Sequence, residues 1–216
     1  DLRNRRYIQG VDVIKIITRI VPPLDVNCYE VIDESTDNRL IIDVGGGFDD
    51  VLKSVENKGK IVGALFTHGH FDHSLDGYKF SDRGVKTYIS EKDNELLSNS
   101  GNLGRYFGVK TVPYAADVFL KEGDTEIGGI KFRTIFTPGH TAGSCCFLFG
   151  DTLLSGDTLF YGSFGRTDFP TGNLDDLKNS IKEKLFKLPP DTKVYAGHGE
   201  PATIGEEIKY NSINEY

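Results

Sequence analysis

The sequence predicts an α/β protein of one domain, and three observations carry that expectation. Short apolar runs bounded by glycines, prolines and polar clusters recur along the chain at lengths that suit buried strands. Both halves run strands first and helix after, with no low-complexity linker between them. A length of 216 residues is that of a single domain, here residues 11–216, with residues 1–10 as an N-terminal extension.

In chain order, Val11 to Val21 alternates as a strand, and Pro22-Pro23 ends it. Val26 to Ile32 and Leu40 to Val44 are strands joined by the polar turn Asp33 to Arg39, which makes a meander. Gly45-Gly46-Gly47 forms a tight turn into a helical stretch, Asp49 to Asn57. It lacks the Lys-Ser/Thr of a phosphate-binding loop. Ile61 to Phe66 is a buried strand, Asp72 to Phe80 a helix, Lys86 to Ile89 a strand and Glu91 to Leu97 a helix. Ser98 to Ala116 is glycine-bearing and carries Arg105, Tyr106 and Phe107. So long a loop in a compact domain marks a candidate lid. Ile130 to Phe136, Cys145 to Phe149, Thr152 to Leu154 and Lys193 to Tyr195 are strands, with helices over Leu174 to Phe186 and Glu206 to Asn211.

Composition removes several classes of function. No apolar run is long enough to span a bilayer, so no membrane partner is expected. A formal net charge of −7 argues against nucleic acid as the main partner, since such proteins leave a basic footprint. Three cysteines without CxxC spacing suggest neither a disulfide framework nor a structural zinc site. Cys145 and Cys146 lie in a strand and face opposite ways, so packing is the expected role for at least one of them. Asp1 to Tyr7 is charged and lacks an apolar signal core, which points to a cytoplasmic location.

Chemistry concentrates at strand ends. Thr67-His68-Gly69-His70-Phe71-Asp72-His73 places three imidazoles and a carboxylate in a turn after an apolar strand. Buried together, such groups need partners, and a cation supplies one to all of them. His140 follows the strand ending at Phe136, Asp157 follows Thr152 to Ser155, and His198 follows Val194-Tyr195-Ala196, each in a glycine-bearing turn. Taken singly, His140 or His198 reads as a structural histidine and Asp157 as a turn residue. Taken together, these turns hold all five histidines of the chain, which favours a site. Imidazole and carboxylate without thiolate suit zinc, iron or manganese, and seven donors exceed what one tetrahedral ion needs. The simplest sorting puts His68, His70 and His140 on one divalent ion and Asp72, His73 and His198 on a second, with Asp157 bridging. Zinc is the first expectation for both. Two such ions hold and acidify a water, which is hydrolytic chemistry.

HxHxDH followed in order by Gly-His, Gly-Asp and Gly-His resembles the metallo-β-lactamase superfamily from about Ile14 to Asn211. The resemblance implies a four-layer αββα sandwich with the site at one edge. Asp157 stands where the best-known β-lactamase classes carry cysteine or another residue, which turns the expectation away from antibiotic hydrolysis. Pro22, Leu24, Asn27, Cys28 and Tyr29, the run Thr137-Pro138-Gly139-His140-Thr141-Ala142-Gly143-Ser144 and above all Gly165-Arg166-Thr167-Asp168-Phe169-Pro170 are similar to the short bacterial glyoxalase II-like (hydroxyacylglutathione hydrolase) proteins. That likeness implies cleavage of a thioester such as S-lactoylglutathione by a metal-bridging hydroxide, with Asp72 orienting the hydroxide. Arg166 falls where the longer enzymes hold glutathione with a lysine, so it is the expected substrate-binding residue for an anionic thioester. Its plainer role is a surface pair with Asp168. Only eighteen residues follow His198, where the longer enzymes place a helical region around glutathione, so another thiol carrier is an open expectation. The rival on the same fold is a persulfide dioxygenase with one iron on two histidines and an aspartate. A nuclease of this superfamily would want a basic exosite, and a non-enzymatic relative would have lost ligands; neither pattern is present.

Overall fold

The computed structural model describes residues 4–9, 12–56 and 58–216, with side chains from Ile14 onward. The first half of the chain builds β1 (Asn4–Gln9), β2 (Asp12–Val21), β3 (Val26–Asp33), β4 (Asn38–Ile42), α1 (Phe48–Val55), β5 (Ile61–Leu65), α2 (Phe71–Ser74), α3 (Tyr78–Ser81), β6 (Thr87–Ser90) and β7 (Val118–Leu120). The second builds β8 (Gly123–Ile127), β9 (Ile130–Phe136), β10 (Cys145–Phe149), β11 (Thr152–Gly156), the hairpin β12 (Leu159–Phe160) and β13 (Ser163–Phe164), α4 (Leu174–Asn179), β14 (Lys193–Ala196), β15 (Ala202–Thr203) and α5 (Ile204–Tyr210). β1 to β7 lie in order in one sheet, and the other runs β15-β14-β11-β10-β9-β8. Of the expected segments, Val11 and Asn57 lie outside the described residues, as does part of the 1–10 extension.

Three apolar clusters make the four layers of the expected αββα sandwich. Between the sheets, Tyr29, Val31, Leu40, Ile42 and Leu65 of one pack with Phe132, Cys145, Phe147, Phe149 and Leu154 of the other. On the outer face of the first sheet, Cys28, Ile41 and Ile89 meet Phe48, Val51 and Phe80 from α1 and α3. On the outer face of the second, Cys146, Leu153 and Val194 meet Leu177, Ile181 and Ile204. Strand alternation explains the sorting: Leu40 and Ile42 point inward while Ile41 points out. Because both faces of β10 are covered, Cys145 and Cys146 are both packed, one in each layer.

The parallel pairs decide where the site forms. β4, β5 and β6 run parallel, as do β11 and β14, so their C-terminal ends meet along one rim of the sandwich. Several elements differ from the sequence expectation. The helix expected over Asp72 to Phe80 is two short helices, because the Asp76 N–H donates to the Gly45 carbonyl (2.8 Å) instead of continuing the helical ladder. Glu91–Leu97 is wound as a 3₁₀ helix. After Asn179 the helix expected to reach Phe186 widens to a π-turn and tightens to 3₁₀, where Ser180 and Lys184 donate to the carbonyls of Pro138 and Phe136. Only part of Ser98–Ala116 stands free as a lid would: Asn102 and Leu103 are buried, and the buried Tyr114 hydroxyl donates to the Ser74 carbonyl (2.8 Å). Among the described residues no helix is long and apolar enough to cross a membrane.

All three cysteines are free and fully buried. Burial raises each thiol pKa, that of Cys146 to about 11. A thiol-reactive dye at mildly alkaline pH is therefore expected to label none of the three in the native protein and all three after denaturation. Rapid native labelling would contradict this packing.

Candidate metal centre

Four chain segments deliver the site, the turn 68–73 and the turns that carry His140, Asp157 and His198, and local geometry explains three of them. β5 runs into Phe66 and Thr67, after which Gly69 lets the backbone turn between His68 and His70. A Cβ on Gly69 would collide with Leu96, so the closeness of that contact requires glycine. His70 is the last extended residue before α2, whose single turn carries Asp72 and His73. Gly156 ends β11 at φ 51°, a left-handed conformation that glycine adopts freely, and the turn presents Asp157. Gly197 leaves room for Asp157 and His73 beside the chain that presents His198.

The structure brings all seven expected side chains together. Ring nitrogens of His68, His70 and His140 form one compact group. Asp72, His73 and His198 form a second, and His68, His73 and Asp157 a third that overlaps both; the donor atoms within each group lie within 4.8 Å of one another. Asp157 reaches across the centre. Its Oδ1 is 3.3 Å from His73 Nε2, and its Oδ2 is 3.7 Å from both His140 Nε2 and His198 Nε2. Asp72 Oδ2 lies 3.3 Å from His198 Nε2 and 3.5 Å from His73 Nε2.

Hydrogen bonding on the far side of three of the rings, His68, His73 and His140, fixes which of their nitrogens face inward. His140 Nδ1–H donates to the Arg166 carbonyl (2.7 Å), which leaves Nε2 unprotonated in the neutral ring. His73 Nδ1–H donates to Asp43 Oδ2 (3.0 Å). The Thr67 hydroxyl donates to the same Asp43 oxygen (2.7 Å), so its own oxygen accepts from His68 Nδ1–H (3.1 Å). Nε2 of His68 and Nε2 of His140 therefore both point at His70 Nδ1, at 3.1 and 2.9 Å. One proton on His70 serves only one of them. His70 Nε2, His73 Nε2 and Asp157 Oδ1 are buried with no hydrogen-bond partner among the described residues. Such orphans are costly; His73 Nε2 and Asp157 Oδ1 face the centre, as His70 does through Nδ1, and lone pairs aimed at a common point are what a cation satisfies. The donor set thus fits divalent metal ions.

The charge states of His68, His70, Asp72 and Asp157 agree with that fit. Burial drives the His68 pKa well below the ordinary imidazole value and that of His70 down to about 3, with the neighbouring histidines adding to it. Asp157 and Asp72 are held below the usual carboxylate range: burial opposes their ionisation, but His73 and its neighbours outweigh it. His73 goes the other way. Burial disfavours its charge, yet Asp157, Asp72 and Asp43 raise its pKa well above the ordinary value, and a proton there is the cation the three carboxylates otherwise lack.

Two carboxylates of this centre are absent from the sequence expectation. Asp43, at the end of β4, accepts from the Thr67 backbone N–H (2.8 Å) as well as from the Thr67 hydroxyl and His73, so it sets two rings at once. Its place after an apolar strand, like that of Asp157, is a signal that could have singled it out. Asp93 is fully buried and accepts from Gly69 N–H (2.9 Å), Thr141 hydroxyl (2.7 Å) and Gly143 N–H (2.7 Å), tying the His68–His70 turn to the His140 turn. Nothing in its charged surroundings marks it beforehand. Arg166 sits on the rim. Its guanidinium pairs with Asp168 at 2.9 and 2.6 Å, with both side chains exposed, while its carbonyl holds His140.

Known proteins are similar to this chain. The profile of the Metallo-beta-lactamase superfamily matches residues 21–198. Hydroxyacylglutathione hydrolase GloC of Haemophilus influenzae is 34% identical over 86% of this chain and 91% of its own. Among solved structures, BLEG-1 B3 metallo-beta-lactamase is similar with a TM-score of 0.84 at 30% identity, over 91% of this chain and 98% of its own. TTHA1623 in a di-iron-bound form has a TM-score of 0.81 at 30% identity, with the same coverages of 91% and 98%.

The Asp43 contacts generate a prediction. Asp43→Asn keeps a side chain that tolerates the φ of 55° at this position. It removes the carboxylate that fixes His73 and Thr67, and is expected to weaken zinc binding by about 10–100-fold. Competition with a chromogenic chelator measures this; unchanged affinity would show that Asp43 does not orient the donors.

Proposed function

The chain belongs to the metallo-β-lactamase superfamily, and from that membership we propose that it is a metallohydrolase of thioesters, with S-lactoylglutathione or another anionic thioester as substrate. The observation that carries the reading is the pair of three-donor groups with Asp157 reaching both. His68, His70 and His140 would hold one ion, Asp72, His73 and His198 the other, and Asp157 would serve both. Two divalent ions there supply Lewis acidity and lower the pKa of a water to near neutrality.

The remaining steps fall to the chain itself. Asp72, ionised and turned by His198 and His73, accepts a hydrogen of the attacking water and aims its oxygen lone pair at the thioester carbon. The carbon–oxygen bond forms as the carbonyl π pair moves onto its oxygen, that pair returns as the carbon–sulfur bond breaks, and the sulfur departs as a thiolate; the proton taken up at Asp72 passes to the thiolate, and the acid formed releases the other to solvent. A thiol pKa of about 8.5 makes that departure easy without a strong general acid, in keeping with a site whose histidines are all committed as donors. Asp43 and Asp93 hold the rings and turns in place through the cycle. Arg166 presents its guanidinium at the rim for a carboxylate of the substrate, exchanging it for Asp168.

GloC supports the thioester reading by its name, and BLEG-1 by its name supplies the competing substrate class, a β-lactam. Purified protein is expected to lose activity with a chelator, to regain it with zinc, iron or manganese, and to release free thiol from S-lactoylglutathione. His70→Ala and Asp157→Ala are each expected to lower turnover by orders of magnitude and to reduce bound metal. Oxygen uptake with sulfite formation from a persulfide, hydrolysis of a chromogenic cephalosporin without thioester cleavage, or full activity in either variant would overturn the proposal.

A further inference from the structure

Beside the metal centre stands a wall of aromatic rings that the mechanism above leaves unused. The Phe169 ring centre lies 6.0 Å from that of His70. Tyr106 meets Phe169 at 6.5 Å and Phe107 at 5.2 Å, and Phe107 stacks on Phe71 at 5.4 Å with the planes 29° apart. Since Phe71 follows His70 in the chain, the rings form a circuit that starts and ends at the metal-binding turn. Its two loops come from opposite halves of the chain, 98–116 and 165–170.

The wall is exposed where a folding role would have it buried. Tyr106 is 78% exposed and Phe107 44% exposed. Rings clustered at the mouth of a polar centre, with Tyr106 and Phe107 exposed to water, are the composition of a binding surface. A cation borders it: the Arg166 guanidinium lies 4.2 Å over the Phe169 ring. Its pairing with Asp168 is solvent-exposed, and such pairs are weak enough for another anion to displace the partner.

We infer that Tyr106, Phe107 and Phe169 form the subsite for the thiol-carrier arm of the thioester, whose anionic end is directed to Arg166. This rests on the thioesterase reading and adds to it which half of the substrate is recognised. A 2-hydroxyacyl group brings no anion for Arg166 and is too short to leave the metal centre, whereas an anionic thiol carrier brings both the length and the charge. Tyr106 and its neighbours thus set specificity by the carrier, not by the acyl group.

The test uses the full-length, metal-loaded protein and one acyl group, lactoyl, on three thiols. Glutathione and coenzyme A are long and anionic; N-acetylcysteamine is short and uncharged. Tyr106→Ala removes a ring too exposed to threaten the fold, and a thermal melt checks this. For the better of the two long thioesters, KM is expected to rise about tenfold, the size of one lost aromatic contact. Over the same comparison kcat is expected to change by less than about twofold, the mark of lost substrate binding. The rise on N-acetylcysteamine is expected to be several-fold smaller, and Tyr106→Phe, which keeps the ring, is expected to restore the wild-type KM. Equal changes on long and short thioesters, or none on either, would overturn the subsite while leaving the hydrolase reading intact. Wild-type protein that cleaves none of the three would overturn both.

Discussion

Everything at the functional rim answers to one electrostatic constraint: seven nitrogen and oxygen donors are crowded into a largely buried volume with their lone pairs facing one another. In the absence of a cation this arrangement is repulsive, and the protein must hold it against that repulsion. His73 Nε2 and Asp157 Oδ1 show the cost directly, since each is a buried polar atom of the centre without a hydrogen-bond partner among the described residues. What resists the strain lies one layer further out. Asp43 fixes His73 and, through Thr67, His68, the Arg166 carbonyl fixes His140, and Asp93 ties two of the turns to each other.

The sandwich exists, in functional terms, to place those turns. Two sheets packed through Phe132, Phe147, Phe149, Leu40 and Ile42 cannot slide without opening the core, so the ends of β5, β9, β11 and β14 stay in fixed relation. Covalent proximity supplies only His68, His70, Asp72 and His73. His140, Asp157 and His198 reach them across the sheet-to-sheet core, and the Cys145 N–H donating to the Thr67 carbonyl (2.8 Å) stitches the sheets at that rim. The rim also decides chemistry: His68 and His70, held neutral by burial, and Asp72 and Asp157, held ionised by their neighbours, are already in the state in which they donate to a metal, whereas His73 gives up a proton to do so.

Much of this was legible in the sequence because the informative residues are both rare and strongly placed. Five histidines, each in a glycine-bearing turn after an apolar run, leave few other arrangements, and alternation of apolar residues located the central strands. What escaped was set by contacts between segments distant in sequence. Asp93 looks like any acid in Glu91–Leu97 until folding places it against Gly69 and Gly143. The break after α2 depends on the Gly45 carbonyl, which local propensity does not contain. Edge strands such as β8, Gly-Asp-Thr-Glu-Ile, are polar on one face and carry too little apolar pattern to stand out. Arg166 shows the same limit in part: its pairing with Asp168 was readable from the sequence, but its seat over Phe169 belongs to the folded rim.

The most direct measurement is anomalous diffraction from crystals of the metal-loaded protein, recorded at the absorption edge of the ion. The account predicts two peaks roughly 3.5–4 Å apart, one enclosed by His68, His70 and His140 and the other by Asp72, His73 and His198, with the Asp157 carboxylate between them. A single peak, or density elsewhere with these seven side chains turned away from it, would contradict it.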